Sequence, residues 1–371
     1  MSVKRGFLVA LLAMLCLAAV GQKSTEIVLL KFSDRPEEPV TRAFVSDVVF
    51  NQYADWLLAE SRGVSWVEPG QVWGWWTLPH PASHYCSISP GGVVLNCNGL
   101  YIMDDARPLM LPHFDPASKG LVVLLINAYP GGAGGRNIVW AGKTIDLRMM
   151  AHEGGHAEKN WLMHSGSWLC PAGDVPQDLT NVYTNPECTW NQYGDTFDIM
   201  GSPAPCCPFE SLHFNTNHRD MLEWQQPSNI SVVTSSVTTT LTRADIPTPS
   251  VQEIRIPVFQ EAPFRESDGQ YYYSIEYRAG IGVLVRLRAP YAYALAGSHT
   301  LLLNGDYSWD PDPHWSLFPA VTASNPFSDP YRGISVQLVS SNPTSATVAI
   351  VTPGIGDVTA PRRVSNIRRG A

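Results

Sequence analysis

The chain has 371 residues, of which 44% are hydrophobic and 16% are charged. This length and apolar content allow two domains of ordinary size, each with its own core. The formal net charge is −8 and the folded region carries no basic stripe, so we expect no nucleic-acid partner. With 29 glycines and 30 prolines, the composition is typical of a loop-rich extracellular protein rather than a helical cytosolic one.

Residues 1–21 have the pattern of a secretory signal peptide. Lys4 and Arg5 form a charged start, Gly6 to Val20 form an apolar run, and small residues precede a cleavage point ahead of Gln22. The run is shorter than the roughly 20 residues that cross a bilayer, and no later run reaches that length. We therefore predict a secreted protein without a transmembrane segment.

Apolar patterns predict the next elements in chain order. Glu26–Phe32 (EIVLLKF) predicts a buried strand, and apolar residues at helical spacing predict a helix over Val45–Ser61. Val64–Pro79 alternates loosely and predicts one or two strands, and Leu121–Ile126 (LVVLLI) predicts a central strand. Tyr129–Gly135 (YPGGAGG) is glycine-rich but lacks the Gly-Lys-Ser/Thr ending of a phosphate loop.

The cysteines predict disulfides. Six remain after the signal region: Cys86, Cys97, Cys170, Cys188, Cys206 and Cys207. An even number in an exported chain predicts up to three bonds, with fifteen possible pairings. Cys86 with Cys97 is favoured, because a Pro-Gly-Gly between them can turn the chain back. The adjacent Cys206 and Cys207 are expected to bond to different partners, and a thiolate metal site there is an alternative.

The segment Ala151–Trp168 contains H-E-x-x-H at His152, Glu153 and His156, in a helix predicted over about Ile145–Lys159. Residues i and i+4 share a helix face, so both imidazoles can bind one Zn²⁺ ion. Glu153 does not need to ligate, because it can take a proton from a water whose pKa the cation lowers. The motif also arises by chance, so a helix with two incidental histidines is the alternative.

Two further features accompany this motif. A third imidazole follows at His164, and Tyr193–Gly201 reads Y-G-D-T-F-D-I-M-G. Together these residues resemble the metzincin metalloproteases, most closely the gametolysin family and its immune-inhibitor-A-like relatives. The resemblance implies that His164 joins the two helix histidines as a ligand of one catalytic zinc ion. It also implies that the motif glutamate is the general base and that Met200 is the Met-turn residue under the metal.

The third histidine departs from the usual spacing of the family. The interval from His156 to His164 is eight positions, two more than in H-E-x-x-H-x-x-G-x-x-H, and Lys159 occupies the glycine position. A longer turn with Asn160 in the left-handed region can replace the glycine turn. Without such a turn the site is a two-ligand remnant. A zinc site with Glu187 as third ligand is a further alternative, against which the Met-turn segment argues.

The resemblance also implies a strand that binds the substrate. In metzincins an edge strand just before the active helix holds the substrate in extended form, and main-chain pairing of this kind gives affinity without demanding a sequence. Within a strand predicted over Asn137–Lys143, the position corresponds to Ile138, Val139, Trp140 and Ala141. An ordinary buried strand is the alternative.

A change of composition marks the end of the predicted catalytic domain at Pro227–Asn229. Before it, Leu212–Trp224 resembles the closing helix of the family, and its His213 and His218 are interpreted as structural or surface residues. Beyond it, short strand-like runs at hairpin spacing predict an antiparallel β-sandwich over residues 228–353.

The last part of the chain predicts little structure. Residues 354–371 are polar with four arginines and resemble a lead-in to a fibronectin-type-III-like module, so we expect a disordered tail or the start of a linker. The spacing of Asp306, Asp310 and Asp312 fits no calcium loop, so solvated turn acids are favoured and a Ca²⁺ site is unsupported.

These features predict an α+β protein in which a signal peptide (1–21) precedes a metzincin-like catalytic domain (22–227) with a mixed twisted sheet and an active-site helix. The antiparallel β-sandwich (228–353) and the tail (354–371) follow. The predicted function is a secreted zinc endopeptidase that cleaves protein or peptide substrates.

Two other functions stay open at this point. One is a catalytically degraded metalloprotease fold that acts as a secreted binding or adhesion protein. The other is a glycan-directed protein, in which the β-domain and a cluster of Trp73, Trp75 and Trp76 bind sugar. For these tryptophans packing against a core or sheet is the favoured interpretation. The sequence does not indicate the oligomeric state.

Overall fold

The computed structural model describes residues 22–129, 131–158, 162–170, 175, 179, 188–202, 212–259, 271–288, 298–303 and 320–353. The chain divides into two compact units, Met1–Leu162 (unit 1) and Met163–Ala371 (unit 2). Several predictions concern residues outside the described ranges: the signal region 1–21, Lys159, Asn160, Glu187, Cys206, Cys207, Asp306, Asp310, Asp312 and the tail 354–371.

The strands of unit 1 are β1 (Gln22–Lys31), β2 (Trp66–Thr77), β3 (Cys86–Ile88), β4 (Val94–Cys97), β5 (Leu121–Ile126), β6 (Gly132–Gly135) and β7 (Ile138–Ala141). Five of them form a sheet of order β2-β1-β5-β7-β6, and β3 and β4 form a hairpin. β1 is parallel to β2 and β5, β5 is parallel to β7, and β6 runs antiparallel to β7. The sheet is therefore mixed, with one antiparallel strand at an edge.

β7 confirms the strand predicted over Asn137–Lys143 but corrects its place in the sheet. Ile138, Val139, Trp140 and Ala141 pair with β5 on one side and with β6 on the other. The edge position predicted for these four residues is therefore wrong. The edge belongs to β6, in the glycine-rich stretch where no strand was predicted, because glycine weakens strand patterns.

The helices of unit 1 are α1 (Arg42–Asp47), a π-helical segment (Val48–Tyr53), α2 (Ala54–Glu60), α3 (Ala82–Tyr85), α4 (Gly99–Met110), a 3₁₀-helix (Pro116–Ser118) and α5 (Leu147–His156). The first three follow one another directly and confirm the helix predicted over Val45–Ser61. Asn98 caps the start of α4, because its side chain accepts hydrogen bonds from the amides of Leu100 and Tyr101.

One face of the five-stranded sheet packs against α4. Side chains alternate along β5, so Val122, Leu124 and Ile126 enter the same buried cluster. α4 contributes Ile102 and Ala106 to this cluster, at the i, i+4 spacing of an amphipathic helix. All six residues of β5 are buried, as expected for a parallel strand that is covered on both faces.

The strands of unit 2 are β8 (His164–Leu169), β9 (Thr189–Asn191), β10 (Ile230–Val232), β11 (Val237–Thr242), β12 (Glu253–Phe259), β13 (Tyr271–Arg278), β14 (Gly282–Arg288), β15 (Ser298–Leu303), β16 (Phe327–Asp329), β17 (Ile334–Asn342) and β18 (Ser345–Val351). One sheet has the order β10-β12-β13-β14-β15-β8-β9, and the second has the order β11-β18-β17-β16. One α-helix, α6 (Thr216–Met221), and a 3₁₀-helix (Pro227–Asn229) lie within the described part of this unit.

The two sheets of unit 2 share one hydrophobic core. Ile254, Ile275 and Val285 of the larger sheet and Val336 and Val348 of the smaller sheet belong to the same buried cluster. This is the arrangement of a β-sandwich. The described chain as a whole is mostly sheet with few helices, which agrees with the α+β class.

The larger sheet contains chain from both sides of the predicted boundary at Pro227–Asn229. β8 pairs in parallel with β15 and antiparallel with β9, so residues 164–191 contribute strands to a sheet otherwise built from residues 230–303. The compact units accordingly divide between Leu162 and Met163, well before the predicted limit. Local composition does not reveal a pairing between segments so far apart in sequence.

Two disulfide bonds lie in the described chain. Cys86 pairs with Cys97 across the β3–β4 hairpin, which confirms the favoured pairing, and Cys170 pairs with Cys188. Such bonds persist in oxidising compartments. Among the described residues, no helix combines the length and apolarity needed to span a bilayer.

We expect Leu124→Ala to lower the free energy of unfolding by about 2–5 kcal/mol, because Leu124 is fully buried and its loss leaves a cavity. Leu58→Ala on α2 is the matched control, since Leu58 is 47% exposed, and it should cost less than about 1 kcal/mol. Urea unfolding followed by tryptophan fluorescence measures both variants. Equal losses of unfolding free energy in Leu124→Ala and Leu58→Ala would contradict the central position of β5.

Candidate metal centre

The helix α5 presents the H-E-x-x-H motif. Asp146 caps its start by accepting a hydrogen bond from the amide of Met149 at 2.8 Å. The helix ends at His156, whose ring centroid lies 5.1 Å from that of His152. The two imidazoles are thus neighbours on one helix face, as the i, i+4 spacing predicts.

Main-chain contacts set the tautomer of His156. Its Nδ1 lies 2.5 Å from the carbonyl oxygen of Leu162, and a carbonyl can only accept a hydrogen bond, so Nδ1 carries the proton. Nε2 then presents a lone pair, which is the state required of a metal ligand. The amide of Leu162 also donates to the carbonyl of Gly155, so the chain returns to the helix end immediately before His164.

Glu153 is 7% exposed, and burial raises the pKa of its carboxyl to about 8. Its Oε2 has no hydrogen-bond partner among the described residues. A buried carboxylate oxygen without a partner is costly unless a cation or a ligand group compensates for it. A nearby cation would also favour the ionised form and oppose the upward shift of the pKa.

Glycines allow the surrounding chain to approach α5 closely. A Cβ on Gly132 would lie 2.5 Å from Oε1 of Glu153, and a Cβ on Gly134 would overlap the carbonyl oxygen of the same residue. Gly154, inside the motif, faces Tyr53, whose Cζ would lie 2.9 Å from an added Cβ. Gly154 therefore leaves room for the buried Tyr53, whereas Gly132 and Gly134 allow β6 to lie directly against Glu153.

His164 is the first residue of β8. Its ring centroid lies 4.0 Å from that of Tyr193, and its Nδ1 lies 2.7 Å from Nε2 of Gln192. The oxygen and nitrogen of a terminal amide can exchange places, so the same contact allows Oε1 of Gln192 to accept a hydrogen bond from the Nδ1–H of His164. In that tautomer Nε2 of His164 carries the lone pair that a metal ligand requires. Sequence reasoning did not identify Gln192 as a neighbour of the site.

A buried ion pair fixes the strand that begins at His164. Ser165 donates a hydrogen bond to Asp195 (Oγ to Oδ2, 2.7 Å), and Asp195 accepts from Nε of Arg286 on β14 at 2.6 Å. The side chains of Asp195 and Arg286 are 0% and 1% exposed. The amide of Ser165 also donates to the carbonyl of Met200. The first aspartate of the Y-G-D-x-x-D-x-M-G segment is therefore a structural anchor.

The ion pair continues across the sheet. Arg286 Nη1 lies 2.8 Å from Oε1 of Glu276, which also pairs with Arg278 and accepts from the amide of Thr216 at the start of α6. Burial alone raises the pKa of Glu276, but Arg278 and Arg286 outweigh it and hold the pKa at about 2. The face of the larger sheet that carries Glu276 and Arg286 therefore contains a buried network of charged side chains that reaches the start of α6.

The second aspartate of the segment fixes the backbone at Met200. Asp198 accepts hydrogen bonds from the amides of Met200 and Asn215, each at 2.6 Å, and its carboxylate lies 3.1 Å from Nδ1 of His218. Burial works to raise the pKa of Asp198, but His218, Asn215 and Arg286 lower it below its ordinary value. His218 and Met200 are fully buried, so a structural role fits His218.

The structure brings together the three histidines predicted from sequence. His152, His156 and His164 offer ligand atoms that all lie within 4.8 Å of one another, so the triad could bind a metal. The longer interval from His156 to His164 does not keep the third ring away. Three imidazole donors suit zinc, and the buried Oε2 of Glu153 fits a cation beside it. The ligand roles and the identity of the ion stay predictions.

Comparisons with known proteins give little further information. No protein-family model matches the chain, and no curated protein matches it. A crystal structure of OgpA from Akkermansia muciniphila aligns at 13% identity and a TM-score of 0.32, covering 76% of this chain and 78% of that chain. A second structure of OgpA aligns at 12% identity and a TM-score of 0.34, covering 76% and 82%. Similarity at this level supports no inference, so the site is judged on its own geometry.

We expect Gly134→Ala to lower the free energy of unfolding by about 1–3 kcal/mol, because the added methyl group overlaps the Glu153 carbonyl and lies 2.9 Å from Cβ of His156. Gly131→Ala is the control: nothing lies within 4 Å of its added Cβ, so stability should stay within about 1 kcal/mol of the wild type. Thermal and urea unfolding measure both. Similar values for the two variants would contradict the contact between β6 and α5.

The stability of unit 2 should fall in acid. The folded pKa of Glu276 (about 2) lies below its ordinary value of 4.5, so its contribution is complete above about pH 4.5 and is lost as the pH falls toward 2. Urea midpoints measured between pH 6 and pH 2.5 test this.

Glu276→Gln should be less stable at pH 6, because Arg278 and Arg286 lose a buried partner, and its stability should depend less on pH over this range. Glu68→Gln, at an exposed position, is the control. If the urea midpoint of Glu276→Gln falls with pH as steeply as that of the wild type, other carboxyl groups cause the loss of stability in acid.

Proposed function

We propose that this protein is a secreted zinc-dependent endopeptidase of the metzincin type. The observation that carries the proposal is the cluster of His152, His156 and His164, together with the buried Glu153 that follows His152 and whose Oε2 has no hydrogen-bond partner within the described part of the chain. A purely structural histidine cluster has no need of such a carboxylate. The Y-G-D-T-F-D-I-M-G segment adds the sequence resemblance, and the disulfides and the absence of a membrane-spanning helix in the described chain are consistent with export.

The chemistry divides between the ion and Glu153. When bound, a zinc ion at the three histidines supplies Lewis acidity, which polarises a peptide carbonyl and lowers the pKa of water. Glu153 accepts the proton of the attacking water and transfers it to the nitrogen of the leaving amine. Its Oε2 is free of competing hydrogen bonds among the described residues, so it is available for this proton transfer.

The sheet edge supplies a route for holding the substrate. β6 pairs with β7 on one side and is the last strand of its sheet in the described chain. We assign main-chain pairing with an extended peptide to β6 rather than to Ile138–Ala141, which pair on both sides. β6 consists of glycine and alanine, so affinity would come from the backbone, and specificity would come from other parts of the site.

The main competing function is a binding or adhesion protein on a degraded metalloprotease scaffold. It shares the fold and the disulfides and differs in lacking turnover. The glycan platform proposed for the tryptophans receives less support, because Trp73 and Trp76 are half-buried and pack against the core of unit 1. Trp73 also stacks on His113, at 4.6 Å between ring centroids.

We expect Glu153→Gln to lower cleavage of a casein or gelatin substrate by at least about 100-fold while zinc stays bound to the histidines, because the substitution removes the base and keeps the ligands. His164→Ala should lose both the zinc and the activity. Glu68→Gln is the control of the same chemistry at an exposed site.

Zinc content by mass spectrometry and cleavage with and without a chelator measure these effects. Chelator-sensitive cleavage that persists in Glu153→Gln would refute the mechanism. Zinc bound at the triad without any cleavage in the wild type would support the binding-protein alternative.

A further inference from the structure

A second cluster of metal-ligating side chains lies in unit 1. His80, His84 and Asp105 offer ligand atoms that all lie within 4.8 Å of one another. The ring centroids of His80 and His84 are 4.2 Å apart, with 36° between the ring planes. Both histidines are exposed and Asp105 is half-buried, so an ion from solution can reach all three.

The backbone around the two histidines is held by contacts that do not involve their rings. The carbonyl of His80 accepts from the amide of Ser33, which follows β1, and Asp34 accepts from the amide of Ala82 at the start of α3 at 2.8 Å. Cys86, which follows α3 directly, is bonded to Cys97. The spacing of the two imidazoles is therefore set by the fold, and a ligand does not have to order the chain.

The carboxylate is oriented by a buried hydroxyl group. Tyr85, 3% exposed, donates a hydrogen bond from its hydroxyl to Oδ2 of Asp105 at 2.7 Å. The same hydroxyl accepts from the amide of His80 at 3.3 Å, so one side chain contacts two members of the cluster. Metal-ligating carboxylates are commonly oriented by an outer hydrogen bond of this kind. Oδ1, the other oxygen of the carboxylate, would then serve as the ligand atom.

We propose that His80, His84 and Asp105 form a second metal site, for a divalent transition ion such as Zn²⁺ or Cu²⁺, distinct from the histidine triad. Two imidazole nitrogens and one carboxylate oxygen suit these ions, whereas Ca²⁺ and Mg²⁺ select sites made of oxygen ligands. The exposed side of the cluster leaves coordination positions for water. The proposal does not depend on peptidase activity.

Binding would stabilise the folded chain. The ion would join the segment that leads into α3 to the middle of α4, and an ion that binds the folded state raises the midpoint of unfolding by mass action. Among the described residues, no further carboxylate joins this cluster as a general base. A structural role thus fits the site better than a catalytic one.

The test is calorimetric titration of the full chain with Zn²⁺ alone, after removal of metal. We expect two zinc equivalents in the wild type, one in His80→Ala/His84→Ala and one in His152→Ala/His156→Ala. Circular dichroism establishes that each variant is folded. His152→Ala/His156→Ala keeps His80 and His84. With Cu²⁺ as the probe, the electron paramagnetic resonance spectrum of this variant should show coupling of the copper to two nitrogens.

The carboxylate has a matched control on the same helix. Asp105→Asn should weaken the second site by at least tenfold, whereas Asp104→Asn, an exposed neighbour, should leave it unchanged. Tyr85→Phe should weaken it by about 10-fold or more, because the outer hydrogen bond is lost. An equal effect of Asp104→Asn and Asp105→Asn would overturn the proposal in favour of general electrostatic attraction.

The two proposals fail in different ways. If His80→Ala/His84→Ala leaves the zinc count and affinities of the wild type unchanged, the second site is wrong, whatever the peptidase assay shows. If the triad binds no zinc and the protein cleaves nothing, the proposed peptidase function is wrong. The second site then still predicts one equivalent of zinc bound to the wild type and none bound to His80→Ala/His84→Ala.

Discussion

The ion pair between Asp195 and Arg286 is the constraint on which unit 2 depends. Both side chains are buried, and they come from positions 91 residues apart in the chain. A buried charge is tolerated when a partner and hydrogen bonds compensate for it, and removing one partner typically costs about 3–5 kcal/mol. Through Ser165 the pair fixes the strand that begins at His164, and through Glu276 it fixes the start of α6. The candidate ligand is thus positioned by the sheet.

This constraint explains why the compact units divide where they do. Composition places a boundary at Pro227–Asn229, because the chain changes there from mixed patterns to short strand-like runs. The contacts in the structure cross that boundary. β8 pairs with β15, and the Y-G-D-T-F-D-I-M-G segment is held by Arg286 on β14, which also pairs with Glu276 on β13. The segment that carries the predicted Met-turn and the β-sandwich therefore lie in one compact unit, and removal of the segment would leave the buried Arg286 without its partner Asp195.

The sequence predicts local features well and long-range pairing poorly. Three predicted features depend only on residues close together in the chain, and the structure contains all three. They are the helix carrying His152 and His156, the buried strand Leu121–Ile126 and the Cys86–Cys97 bond. The edge strand β6 was missed because it is nearly all glycine, although glycines at alternate positions just before an H-E-x-x-H helix could have indicated a close approach. The roles of Gln192 and Arg286 depend on contacts across many residues, which no local pattern encodes.

The two histidine clusters show that the surroundings, rather than the spacing, decide what a site can do. Each contains a pair of histidines four residues apart; Asp105 belongs to one cluster, and Glu153 follows the first histidine of the other in the chain. At His152 and His156 the carboxyl group of Glu153 is buried and its Oε2 has no partner among the described residues, so it is available to move a proton. At His80 and His84 the carboxylate of Asp105 is oriented by Tyr85 and is itself a ligand candidate, so the described part of the cluster contains no second carboxylate to act as a base. The first arrangement suits hydrolysis and the second suits a structural ion, because a proton acceptor is of use only while it is not bound to the metal.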